Sequence, residues 1–199
     1  QLADAANNVF TTNAVGQTVT GGASADQISG ASGDDTIIGG GGADTITGGA
    51  GEDIMTGGTE ADTFVFASTD SASDTYSDTD FGGSVSDGDI FAGSFDIVRD
   101  FVNGQDKIDI DNSLAFFNTG YSEGEIYVDA ENVKPAMDDV PFGFVILMKG
   151  EFNEGTNQFV VDLDATGATT DTFVYFDVAG VNSGIILDNV ILTSTSDFI

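Results

Sequence analysis

From Gly21 to Val65 the chain places an apolar residue at every ninth position: Ile28, Ile37, Ile46, Met55 and Phe64. Each stands two residues after an aspartate: Asp26, Asp35, Asp44, Asp53 and Asp62. Neither series slips. The five units read GGASADQIS, GASGDDTII, GGGGADTIT, GGAGEDIMT and GGTEADTFV. A fixed period held over five units marks a repeat architecture. The Gly-rich half of each unit tolerates positive φ and close backbone approach, so it can turn sharply. The second half is short, β-branched and alternating, which predicts a strand about three residues long. Turn, strand, turn, strand makes one coil from two units. Ile28, Ile46 and Phe64 then line one small sheet, and Val19, Ile37 and Met55 the other, with a thin core between them. A flexible Gly/Ser/Asp linker would share the composition. It would have no reason to repeat an apolar residue at a fixed interval.

Outside the repeats the pattern changes. Gln1 to Thr20 is polar with scattered apolar residues, and a helix over the first ten residues is one option. Val15 to Thr20 looks like a degenerate unit without its Asp, suited to capping the first coil. Residues 1–20 are therefore expected to be an N-terminal cap and 21–66 the repeat body. Residues 67–94 form a long polar, acidic stretch, read as a solvated loop or as a further ion site around Asp87-Gly88-Asp89. Phe95 to Ile110 reads FDIVRDFVNGQDKIDI, two apolar-patterned segments flanking Asn103-Gly104, a strong turn pair that predicts a hairpin. Ser113 to Phe117 could form a short helical turn. Further strands are expected at 125–128, 142–148, 157–163, 172–178 and 185–192, separated by Gly, Asn and Asp turns. The fold class is all-β: a parallel roll followed by an antiparallel sheet, with 95–199 as a C-terminal β domain packed on the end of the roll.

Charge sharpens the picture. The 199 residues carry 34 acidic side chains against 4 basic ones, a net charge of −30. Nucleic acid is excluded as a partner because its phosphates would be repelled, and an anionic membrane surface is disfavoured for the same reason. The longest apolar run, Val140 to Met148, is too short to span a bilayer. A disordered acidic chain would lack the aromatic and β-branched residues present here, which include 16 Phe. Halophilic acidity would scatter Asp and Glu over the surface, whereas these Asp recur beside Gly at fixed offsets. There is no Cys and no His, so Cys/His zinc sites and Ser-His triads are impossible within this chain. Paired carboxylates can hydrolyse glycosides, but Asp in Gly turns have a better role, and the chain reads as a non-enzyme. Its first ten residues have no basic or apolar leader pattern. It does not begin with Met, which fits a fragment or a processed product.

Stacking the coils brings carboxylates of successive turns together, and like charges repel. A cation must lie between them. Hard oxygen donors in flexible turns select Ca²⁺, which takes six to eight oxygens. At this point the units resemble the G-G-x-G-x-D-x-U-x repeat of RTX proteins, a calcium-binding parallel β-roll. The units at 39–47 and 48–56 match fully, while Ser24, Ala31 and Glu60 stand where the pattern has Gly. The resemblance implies calcium held by the carboxylates of Asp26, Asp35, Asp44, Asp53 and Asp62 and by the glycine turns, at Gly30, Gly33, Gly39, Gly42, Gly48 and Gly51. It implies ions between turns two units apart, pairing Asp26 with Asp44, Asp44 with Asp62, and Asp35 with Asp53. About three fully built sites are expected, with weaker ones at the ends. Within the five units Asp44 alone has a partner on each side.

Two later segments extend the resemblance. Phe95 to Ile110 is similar to the D-x-I-x-D-F-x-x-G-x-D-K-I-D-L segment that follows the repeats in serralysin-type proteases, with Val98 in place of an Ile. This implies calcium ligands at Asp96, Asp100, Asp106 and Asp109. Asp162 to Phe173 resembles an Asp-rich turn of the same C-terminal domains, which adds Asp162, Asp164 and Asp171, with an ordinary Asx-rich turn as the alternative. The ending Thr195-Ser196-Asp197-Phe198-Ile199 is similar to the terminal signal of type I-secreted proteases. The resemblance implies a calcium-binding module of a secreted or cell-surface bacterial protein, exported by type I secretion machinery and folding on Ca²⁺ outside the cell. The alternative is a calcium-dependent self-association module of a surface-layer, fibre or adhesin protein.

Overall fold

Alternation with a period of two puts every second side chain of a short strand inward, and this sorts the repeats into two rows. In the computed structural model, which describes residues 9–11, 16–67, 88, 90–110, 145–162, 171–178, 181–192 and 195–199, β1 (Val9–Thr11), β3 (Gln27–Ser29), β5 (Thr45–Thr47), β7 (Thr63–Phe66) and β10 (Lys107–Ile110) form a five-stranded parallel sheet in that order. Facing it, β2 (Thr18–Thr20), β4 (Thr36–Gly41), β6 (Ile54–Thr59) and β9 (Asp96–Val98) stack in parallel. The registers align Ile28 with Ile46 and Ile46 with Phe64 in one row, and Val19 with Ile37 and Ile37 with Met55 in the other. All six side chains are buried in one cluster. The two rows predicted from the nine-residue period are the rows observed.

Three features differ from the sequence reading. The repeat register runs one unit further back: Phe10 of β1 pairs with Ile28, so a strand occupies 9–11 where a helix was an option. The segment Phe95 to Ile110 is not a hairpin. Its strands do not pair with each other; β9 lies on β6 and β10 lies on β7, in opposite sheets. Asn103-Gly104 does turn, with Gly104 at φ 77°, but it turns the chain from one row to the other. Lastly, the C-terminal strands β11 (Val145–Asn153), β12 (Gln158–Val161), β13 (Asp171–Val178) and β14 (Val181–Leu187) pair antiparallel with one another and join the roll edge to edge. β14 pairs in parallel with β9. With β8 (Ile90–Ala92) at the far edge, one nine-stranded sheet runs β2-β4-β6-β9-β14-β13-β11-β12-β8.

The inner face of this sheet completes the roll core with Val98, Leu147, Val174, Ile185 and Leu187. Its other face carries a second cluster centred on Phe173, whose ring lies 5.1–5.3 Å from Phe91, Phe95 and Phe159. Phe91, Phe95, Phe159 and Phe173 are therefore core. The expected strand at 125–128 and helical turn at 113–117 lie outside the described residues, as does most of the polar stretch at 67–94, Asp87 and Asp89 included.

Candidate metal centre

A strand of three residues cannot hold its register through side-chain packing alone, so the turns carry much of the specification. The amide of Asp26 donates to Oδ1 of Asp44 (2.7 Å), that of Asp35 to Oδ1 of Asp53 (2.8 Å), and that of Asp44 to Oδ1 of Asp62 (2.9 Å), each across 18 residues. The carbonyls of the same aspartates accept from the first strand residue of the next rung, as in Thr45 N to Asp26 O (2.8 Å) and Thr63 N to Asp44 O (2.8 Å). Each aspartate is thus held to the unit two further along. The pairs expected to share ions are the pairs joined by these hydrogen bonds.

The ladder does not stop at the repeats. Asp53 N donates to Asp96 Oδ1 (2.9 Å) and Asp62 N to Asp106 Oδ1 (3.0 Å). Asp96-Ile97-Val98 and Asp106-Lys107-Ile108 are two more Asp-x-apolar rungs that have lost their glycine turns. Asp44 is consequently not alone in having an aspartate on each side, because Asp53 and Asp62 have one too. At the other end Gln17 takes the aspartate's place, its amide donating to Asp35 Oδ1 (2.6 Å).

These carboxylates are buried. Asp35 and Asp44 are each 1% exposed, and their Oδ2 atoms are enclosed with no hydrogen-bond donor. A lone buried carboxylate oxygen is costly unless something positive meets it. No basic residue precedes Arg99 in the chain. Arg99 pairs with Glu154 (2.7 Å) and Asp188 (3.5 Å), and Lys107 with Asp197 (2.9 Å), so neither serves the repeats. Burial pushes Asp44 and Asp62 up from 3.8 to about 6, against the lowering effect of their backbone hydrogen bonds; neighbouring carboxylates raise them further. Asp106 is raised for the same first cause.

The glycines explain where a cation fits. A Cβ added to Gly39 would overlap Asp44 Oδ2 and the Gly57 carbonyl oxygen; at Gly30 it would meet Asp35 Oδ2 and the Gly48 carbonyl, and at Gly48 the carboxylate of Asp53. Each cradle thus holds a carboxylate oxygen close to backbone, with a neighbouring carbonyl at Gly30 and Gly39. Gly33, Gly42 and Gly51 adopt φ of 95°, 93° and 140°, which only glycine takes without strain. Gly21 and Gly57 repeat the arrangement with Asp26 and Asp62; the sequence reading missed them, although the period places them. Among the described residues no three acidic side chains converge to hold an ion by themselves. The carbonyls beside the carboxylates at Gly30 and Gly39 are oxygen donors as well. An all-oxygen donor set of this kind fits Ca²⁺.

The other expected ligands are placed differently. Asp100 accepts the amides of Gly57 and Gly58, one on each carboxylate oxygen (2.8 Å both). It closes the turn of the last glycine unit. Asp109 is half-buried on β10, whose inward residues are Ile108 and Ile110, so it stands off the ladder. Asp171 is buried among the antiparallel strands, accepting from Phe152 N and Asn189 N (2.8 Å each). The Asp162 amide donates to Lys149 O (2.9 Å). Asp164 lies outside the described residues. Sequence reasoning also passed over Asp34 and Glu60, which accept from Glu52 N (3.1 Å) and Gly42 N (2.7 Å), again across 18 residues. That interval, two repeat units, is the signal that would have found them.

The family of the RTX calcium-binding nonapeptide repeat (4 copies) matches residues 16–45 and 29–64. Among solved structures, the chain is similar to the AlgE6R2 subunit of the Azotobacter vinelandii mannuronan C5-epimerase, with 21% identity, a TM-score of 0.49, and coverage of 98% of this chain and 91% of that one. It is also similar to the AlgE6R3 subunit of the same enzyme, with 19% identity, a TM-score of 0.38, and coverage of 99% and 81%. Curated proteins give no match.

Proposed function

We propose, with residues 16–64 being an RTX calcium-binding β-roll, that this chain is a calcium-dependent folding module of a larger extracellular bacterial protein exported by a type I route. The observation that carries the reading is the buried ladder of Asp35, Asp44, Asp53 and Asp62, running on into Asp96 and Asp106, with no cationic side chain paired to the repeats among the described residues. Without Ca²⁺ the ladder must bury like charges, so the folded state is disfavoured and the chain stays extended. With Ca²⁺ the ion binds only the folded turns and stabilises them by mass action. Asp26, Asp35, Asp44, Asp53, Asp62, Asp96 and Asp106 supply carboxylate oxygens, and the glycine turns supply carbonyls. No catalytic role is assigned, and the divisions at 20, 66 and 94 mark the repeat body within a roll that also takes in β1, β2, β9 and β10. No described helix is long and apolar enough to cross a membrane.

A calcium titration of the full chain, followed by far-ultraviolet circular dichroism and light scattering, tests this. The expected result is a chain largely unfolded in chelator that gains β signal with calcium while remaining monomeric. A strong β signal in excess chelator, unchanged by calcium, would overturn it. Growth in particle size with calcium would move the reading to self-association, as in a surface-layer, fibre or adhesin module.

A further inference from the structure

The five-stranded sheet has one more occupant after β10. Past a 3₁₀ turn at Thr195–Asp197, Phe198 is bridged in parallel to Ile108 and the Ile199 amide donates to Ile108 O (3.0 Å). Phe198 packs against the roll core, extending the row of Ile28, Ile46, Phe64 and Ile108 by one rung. The segment is anchored by Asp197, which is 2% exposed. Its Oδ1 accepts from Lys107 Nζ (2.9 Å) and its Oδ2 from Gly104 N (3.0 Å). Lys107 Nζ also donates to the Ser196 carbonyl (3.1 Å). One of only four basic residues in the chain is spent on this contact.

The groove that receives this segment is not self-standing. Gly104 and Lys107 belong to the turn and strand fixed by the last ladder rung, through Asp62 N to Asp106 Oδ1 (3.0 Å) and Lys107 N to Asp62 O (2.8 Å). A buried carboxylate with its partner removed is strongly disfavoured. Asp197 therefore has a reason to dock only while Lys107 and Gly104 are held in place, and they are held only while the roll is folded.

We propose that residues 104–108 form a docking groove for the chain's own 196–199 segment, clasped by the Lys107–Asp197 pair and gated by folding of the roll. In the folded module the segment adds a short rung to β10 at Ile108, whose backbone would otherwise be open to other chains there. In the unfolded chain it is free and open to a partner. The proposal rests on the calcium-dependent folding argued above.

Hydrogen exchange of the full chain, read separately for residues 195–199 and for the repeats, tests the clasp. In millimolar calcium both regions should be protected; in calcium-free buffer both should exchange at unfolded-chain rates. The variant Lys107→Gln in calcium should speed exchange of 195–199 about tenfold or more while strands β4 to β7 stay protected; Asp197→Asn should act in the same direction. If 195–199 exchanges freely in calcium while the repeats are protected, or if both variants leave its protection intact, the clasp is wrong. A roll protected without calcium would instead overturn the folding reading, and the variants would still decide the clasp.

Discussion

Asp53 and Asp96 are 43 residues apart, yet the amide of one donates to the carboxylate of the other at 2.9 Å. That bond is the same contact that joins Asp35 to Asp53 within the repeats. It makes the stretch after the long polar segment a continuation of the roll. The first prediction follows from it. Asp96→Ala removes a charged acceptor from a buried amide and should cost about 1.5–3 kcal/mol in calcium-saturated urea unfolding. Asp109→Ala, off the ladder on the same segment, should stay within about 0.5 kcal/mol. Equal losses would remove Asp96 from the ladder.

Ala31 and Glu60 occupy glycine positions of the repeat and still adopt its left-handed backbone, with φ of 71° and 74°. Such a conformation costs a residue with a Cβ about 1–2 kcal/mol. Glycine returns part of that gain through the greater freedom of its unfolded chain. Ala31→Gly should therefore stabilise the calcium-bound roll by about 0.5–1 kcal/mol, or about 2 °C in Tm. Glu60→Gly should gain less, because Glu60 also accepts the Gly42 amide. A loss of stability in Ala31→Gly would show that the turn at 30–33 is not held as described.

Much of this was legible in the sequence because the roll is locally periodic. One period fixes the inward residue, the turn and the carboxylate together, so Ile28, Ile37, Ile46, Met55 and Phe64 all fell on the face expected. What failed was non-local. Asn103-Gly104 has the chemistry of a hairpin turn, and nothing in sixteen residues says that both edges of β9 are taken by β6 and β14. The Asp-x-apolar spacing of Asp96 to Val98 and Asp106 to Ile108 was available as a signal. It was masked by the loss of glycines and by an offset of ten residues in place of nine. Joining of the C-terminal strands to the roll through β14 is a pairing between distant segments, which side-chain alternation does not encode.

Gly39 separates the role of the cradle from that of the carboxylate. Gly39→Ala leaves Asp44 in place but would drive a Cβ onto its Oδ2 and the Gly57 carbonyl. Isothermal titration should then show at least one calcium fewer bound, with a raised midpoint for folding. Gly104→Ala is the control: its Cβ would meet open space, so it should cost only the backbone strain of φ 77°, about 1–2 kcal/mol, and leave the calcium count unchanged. Loss of an ion in both variants would mean that general destabilisation, and not the cradle, governs binding.

Protons should compete with calcium for the same oxygens. In the calcium-free roll Asp44 and Asp62 are raised from 3.8 to about 6, chiefly by burial. A group whose folded pKa lies above its unfolded value favours folding fully below the unfolded pKa, and that contribution is lost as pH rises through the folded one. The calcium-free chain should therefore gain β structure as pH falls from 7.5 to 5, while the calcium needed for folding rises over the same window. Asp44→Asn mimics the protonated state and keeps an oxygen for the Asp26 amide. It should fold more readily without calcium, bind calcium more weakly, and show a flatter pH profile by circular dichroism. A calcium midpoint independent of pH between 7.5 and 5, in both the parent chain and Asp44→Asn, would mean that these carboxylates neither hold the ion nor oppose folding.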